Sequence, residues 1–162
     1  ETVAKGIGDD VPVFISDDYV MHDLVSVLRE SRFLVSSRFH AVVLSMTAGV
    51  VSGGLTMDER IRNLMFERNH QELLLNVDDS NLGDRILMML RKMRDDEEEL
   101  RNDVLCAVPR QLKAMGQMGQ RFVNEVVRQY PELEPRVRTG SWDKFLPPLD
   151  PQLERLVNVY GG

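Results

Sequence analysis

Short apolar runs alternate with helical periods along residues 11–77, with only a few residues between them. Few folds tolerate that alternation. A helix between two strands carries the chain back to the same end of a sheet, so successive strands run parallel. The first run, Val11-Pro12-Val13-Phe14-Ile15, is closed by Ser16, Asp17 and Asp18, which predict a strand followed by a helix cap. From Tyr19 to Arg29 the apolar residues Met21, Leu24, Val25 and Leu28 recur at helical spacing. Phe33–Ser36 reads as the second strand. The next helix, Phe39–Ala48, is apolar on nearly every side and therefore buried, with Gly49 placed to stop it. Val50–Leu55 reads as a third strand, and Gly53 and Gly54 at its end mark close approach of another backbone or a ligand. Asp58–Arg68 follows as an amphipathic helix with Ile61, Leu64 and Met65 on one face, and Leu73–Val77 as a fourth short strand.

After residue 80 the strand signal stops. Ser80 or Asn81 caps a helix carrying Leu82, Ile86, Leu90 and Met93, and the acidic run Asp95–Glu99 suits the N-terminus of the next one, where the helix dipole favours negative charge. Pro109 is expected to break or kink that helix. Prolines at 131, 135, 147, 148 and 151 punctuate the tail, with one short helix near 152–159. The expected fold class is α/β: a parallel Rossmann-like sheet of three to four strands, helices on both faces and a helical C-terminal extension. Residues 1–80 would form a partial Rossmann-like unit, and 81–162 the extension packed on it.

Composition narrows the function classes. A net charge of −6 disfavours generic nucleic-acid binding through a basic surface. No apolar run approaches the ~20 residues needed to span a bilayer. The single cysteine, Cys106, cannot form an internal disulfide and suits a reducing cytoplasm, where it reads as a small hydrophobe. The chain begins at Glu1 with neither methionine nor a leader pattern, which reads as a processed protein or a piece of a longer one.

The densest chemistry lies at Ser36-Ser37-Arg38-Phe39-His40, where the second strand meets the buried helix. Open parallel sheets bind ligands at the C-terminal ends of their strands, and the free N–H groups of a helix N-terminus attract anions. Arg38 adds a planar, bidentate cation, and His40 a proton donor that works near neutral pH. Duller roles exist for the other conspicuous residues. His22 reads as a surface residue and His70 as a solvated loop residue. The acidic run lacks the alternating spacing of a calcium loop, the methionines sit at core positions, and Gly53-Gly54 falls short of a dinucleotide fingerprint.

Ser37-Arg38-Phe39-His40-Ala41, then Ala48-Gly49-Val50, then Gly54-Leu55-Thr56-Met57-Asp58-Glu59-Arg60 resembles the C-terminal part of the polysaccharide pyruvyl transferase family, without gaps over about residues 33–65. The family pattern is a strand, Ser-Arg-x-His-Ala, an apolar helix, Ala-Gly-Val-Pro, a strand, and Tyr-Asp-x-Lys opening a helix. Val51 stands at the proline, Met57 at the aromatic and Arg60 at the lysine, so the last keeps the charge but not its geometry. The resemblance implies a GT-B-like enzyme with its active site between two Rossmann-like domains, which moves pyruvate from phosphoenolpyruvate to a sugar hydroxyl. It implies His40 as general acid, Ser37, Arg38, Asp58 and Arg60 as substrate-binding residues, and Arg38 among them as the one that binds the donor's carboxylate or phosphate, with no cofactor and no metal. The implied partners are phosphoenolpyruvate, a sugar or glycan acceptor, and a missing N-terminal domain or a second copy covering the open sheet edge. The C-terminal domain of a sugar-nucleotide glycosyltransferase and a non-catalytic interaction module are the alternatives.

Overall fold

The computed structural model describes residues 18–56, 59–136 and 139–161. Helix α1 (Met21–Glu30) leads into strand β1 (Phe33–Ser36), helix α2 (Phe39–Met46), strand β2 (Val51–Leu55), helix α3 (Glu59–Glu67) and strand β3 (Leu74–Leu75). Two long helices follow, α4 (Leu82–Asp95) and α5 (Glu97–Gln129), and α6 (Pro151–Tyr160) closes the described chain. The strands form one parallel sheet in the order β1-β2-β3, with Phe33 opposite Val51 and Gly54 opposite Leu74. The alternation expected from the sequence is therefore present, in a sheet of three described strands within a mostly helical chain. The expected strand at 11–15 lies outside the described residues.

The period of two along each strand sorts its side chains onto two faces. Leu34 and Leu74 pack with α2, α3, α5 and α6 around Val42, Met46, Ile61, Met65 and Val104. Phe33, Val35, Val51 and Leu75 pack on the other face with Met89 and Met93 of α4 and with Leu100 of α5. The two strand glycines make this sandwich possible. A Cβ on Gly53 would lie 2.6 Å from Met89 Sδ on one face, and a Cβ on Gly54 2.6 Å from Ile61 Cγ2 on the other. They admit helices on both sides, and the groups that approach them most closely are the side chains of those helices, where their placement suggested another backbone or a ligand.

Gly49 ends α2 as expected, at φ +69°, a conformation that glycine adopts without strain. The carbonyls left over at that end are taken up by distant helices: Arg101 Nη2 donates to Ala48 O at 3.2 Å and Gln152 Nε2 to Thr47 O at 2.8 Å. At the other end of the fold, Asp150 caps α6, its Oδ1 accepting from the N–H groups of Gln152 and Leu153 at 2.9 and 3.0 Å, with Pro151 in the first turn.

Three expectations need correction, the first of them in part. Of the break or kink expected at Pro109, the break does not occur, since α5 runs through it for 33 residues. Its missing N–H removes one bond to the Leu105 carbonyl, a cost of ~3 kcal/mol. Pro109 itself is fully buried beside Val104, Ala107 and Val108, and packing of that face outweighs the loss. The fourth predicted strand shrinks to Leu74–Leu75, because Gln71–Leu73 forms a 3-10 turn first. His70 is 1% exposed, not a solvated loop residue. Among the described residues, no helix is long and apolar enough to cross a membrane.

The burial of His70 follows from how α3 ends. Asn69 takes a left-handed φ of 58°, so that Asn69 N donates to Phe66 O at 3.1 Å and His70 N to Met65 O at 2.8 Å. This Schellman closure turns the next side chain inward. There His70 meets Arg68, also 1% exposed, whose Nη1 and Nη2 each donate to Ser52 Oγ at 3.2 Å. Burial lowers the Arg68 pKa to about 10, so it stays charged at neutral pH. His70 is pushed below its ordinary value, chiefly by burial and then by the Arg68 charge, against the opposing pull of Asp103, whose Oδ2 lies 3.5 Å from Nε2, and of Glu72. The native state thus binds this proton less readily than the unfolded chain. Stability is expected to fall as pH drops below ~6.5, by at most about 1.4 kcal/mol per pH unit. Urea midpoints compared at pH 7.5 and pH 5 measure the fall, and His70→Phe is expected to flatten it. An equal fall in that variant would assign the effect to other groups.

Candidate functional site

The corner between β1 and α2 is shaped by Ser36. Its hydroxyl accepts from the Arg38 N–H at 3.0 Å, a turn that competes with strand continuation and sets Arg38 at the helix cap in an extended conformation, φ −105° and ψ 117°. The cap residue's carbonyl then accepts from Ala41 N at 3.2 Å and Val42 N at 3.4 Å. The side chain of the cap residue makes no capping bond, so of the first turn it is the N–H groups of Phe39 and His40, ahead of these two bonds, that an external acceptor could meet. Apolar residues hold the helix in the core by Val42 and Met46, while Ser37, Arg38 and His40 are exposed.

Parallel pairing brings a second loop to the same edge. Ser36 is the register partner of Gly54, so the C-terminal ends of β1 and β2 lie side by side. Arg60, on the first turn of α3, reaches across to the ring of Phe39, its guanidinium carbon 5.4 Å from the ring centroid. The edge of the same ring meets the His40 imidazole, with centroids 5.7 Å apart and planes at 75°. Arg38, His40 and Arg60 are thus gathered on one exposed corner. The side chains of Arg38 and His40 make no hydrogen bond or ion pair among the described residues. Ser37 sits beside them, exposed. Asp58 lies outside the described residues.

Two contributors escape a reading of the sequence. Ser36 reads as the end of a strand, yet its hydroxyl builds the turn. Phe39 reads as one more apolar position in a buried helix, yet it touches both Arg60 and His40. The only available signal was its place between the two basic residues.

The opposite edge of the sheet carries a different polar cluster. Because α3 runs antiparallel to the strands, it delivers Arg60 to one edge and Arg68, eight residues later and about 12 Å along the axis, toward the other. Arg68 is sealed in and bonded to Ser52, so it takes no part in the exposed corner. Among the described residues, no group of three or more His, Cys, Asp or Glu side chains is arranged to hold a metal ion.

The corner brings two guanidinium groups and an imidazole to the start of a helix, a combination whose chemistry suits an anion. No family model, curated protein or solved structure matches the chain.

Proposed function

We propose that this chain is the donor-binding portion of a pyruvyl transferase that moves pyruvate from phosphoenolpyruvate to a sugar hydroxyl. The observation that carries the reading is the gathering of Arg38, His40 and Arg60 on one exposed strand-end corner, where the side chains of Arg38 and His40 make no hydrogen bond or ion pair among the described residues. Phosphoenolpyruvate carries a carboxylate and a phosphate, and two arginines with a helix N-terminus suit both anions. Protonated His40 is the acid. It gives its proton to the enol methylene, which leaves an oxocarbenium-like carbon for the acceptor hydroxyl to attack. Loss of phosphate and attack by a second hydroxyl complete a cyclic ketal. The reaction is cytoplasmic in this reading, and the acceptor is a sugar or glycan held by a further domain or a second copy.

Calorimetric titration of the chain with phosphoenolpyruvate, a nucleotide-sugar and inorganic phosphate tests the reading. Phosphoenolpyruvate is expected to bind most tightly. Arg38→Ala is expected to weaken it roughly 10- to 150-fold, the value of a hydrogen bond to a charged group at ~1.5–3 kcal/mol. Arg38→Lys restores only part, because lysine lacks the planar fork. Tighter binding of the nucleotide-sugar would move the assignment to a glycosyltransferase, and binding of none of the three would leave the corner without a ligand.

A further inference from the structure

Helix α5 changes character along its length. Its first half packs into the core through Leu100, Val104, Ala107 and Val108. Further on, one side is covered by the 3-10 turn Trp142–Phe145, with Gly116 against Trp142 and Gly119 against Phe145. Another side stays open. Met115, Met118 and Phe122 stand there at helical spacing, 42%, 66% and 68% exposed. Three large apolar side chains on one open stripe mark an interaction surface.

Both ends of the stripe carry an acid and a base. At the N-terminal end lie exposed Arg110 and, from α3, Glu67, whose Oε2 accepts from Gln111 Nε2 at 3.1 Å. At the C-terminal end lie Glu125 and Arg128, paired with each other at 2.7 Å. The N-terminal end is also hollow. Ala107 and Ala114, with Glu67, Arg110 and Gln111, line an open pocket of about 240 Å³. A cavity of ~150 Å³ already holds a benzene ring.

We infer that α5 pairs antiparallel with α5 of a second copy of this chain, about a two-fold axis at Met118. Phe122 and Ala114 each stand four residues, about 6 Å, from Met118, so the phenyl ring of each copy comes level with the alanine pocket of the other. Glu125, seven residues after Met118, comes level with Arg110 of the other copy, eight residues before it. Arg128, ten residues after, comes between the levels of Gln111 and Ala107, beside which Glu67 sits. A perpendicular two-fold sets like flanks together, and at 100° per residue Arg110, Glu125 and Arg128 share one flank of the stripe. Arg121 lies on that flank too, and its charge stays at the wet rim. The patch is thus complementary to itself, as an isologous contact requires. An anionic lipid surface would instead set like charge against Glu67 and Glu125.

Sedimentation velocity of the full 162-residue chain, over a dilution series through the micromolar range, measures the pairing. The sedimentation coefficient is expected to rise with concentration toward that of a dimer. Phe122→Ala is expected to raise the dissociation constant by at least ~10-fold, the loss of a central aromatic anchor. Phe122 is exposed, and an unchanged urea midpoint at monomeric concentration shows that the variant keeps its fold. Arg110→Glu and Glu125→Arg are each expected to weaken the dimer about two- to fivefold, and the double variant to recover most of the loss, because it restores opposite charges across the axis. A chain that stays monomeric, a Phe122→Ala variant that pairs like wild type, or a double charge variant no tighter than either single one would overturn the proposal. A monomeric chain that sediments with phosphatidylserine vesicles would assign the stripe to a lipid surface and overturn it equally.

Discussion

In the full-length protein, and on the proposed function, His40→Gln is expected to lower the rate of pyruvyl transfer at saturating phosphoenolpyruvate by ~10²–10⁴-fold while leaving donor affinity within a few-fold. Glutamine keeps the size and hydrogen-bonding capacity of the side chain but cannot deliver a proton to carbon. His40 is exposed on the first turn of α2, its side chain making no hydrogen bond or ion pair among the described residues, so its replacement leaves the fold alone. Arg38→Ala acts on the other quantity, donor affinity. Steady-state kinetics with phosphate release as readout separate the two, because loss of a transition-state proton lowers kcat whereas loss of a ground-state contact raises KM. Equal losses of donor affinity in both variants, with unchanged rate at saturation, would reject the division of labour and reduce the corner to a simple anion site.

Ile61→Ala is expected to destabilise the chain by about 2–5 kcal/mol, the range for truncating a fully buried isoleucine. Ile61 is wholly buried and sits where α3 presses on the sheet, over the backbone of Gly54. The cavity left there cannot refill easily, since the glycine below offers no side chain to relax into it. Phe66→Ala on the same helix is the control. Phe66 is 54% exposed and its truncation is expected to change stability by no more than about 0.5 kcal/mol. Urea unfolding midpoints at constant slope measure both. A loss for Ile61→Ala below about 1 kcal/mol would contradict the tight helix-on-sheet contact. The same variant is also expected to disturb the site, because Ile61 directly follows Arg60.

Much of this architecture was legible from periodicity. The β1 boundaries, the start of α2, the stop near Gly49 and the amphipathic face of α3 all rest on local rules: apolar spacing and glycine at a left-handed position. Those rules act within a few residues, so a linear reading detects them. They fail where distant packing decides. Pro109 is a helix breaker by local energetics and is overruled by the buried surface around it. His70 looks polar and loop-bound, and is buried because a Schellman turn aims it inward against Arg68 and Asp103.

The candidate site divides in the same way. By itself the sequence determined that an arginine and a histidine follow a strand end at the start of a buried helix, since strand, serine turn and helix are encoded within eight consecutive residues, 33–40. It could not determine that Arg60, twenty positions further on, stands over the ring of Phe39, or that the ring also meets His40. That arrangement depends on the parallel register that sets Ser36 beside Gly54, and on two glycines that let α3 settle close enough to reach across. Only tertiary structure decided it, because pairing between strands and the seating of a helix on a sheet are collective packing outcomes with no local signature in the chain.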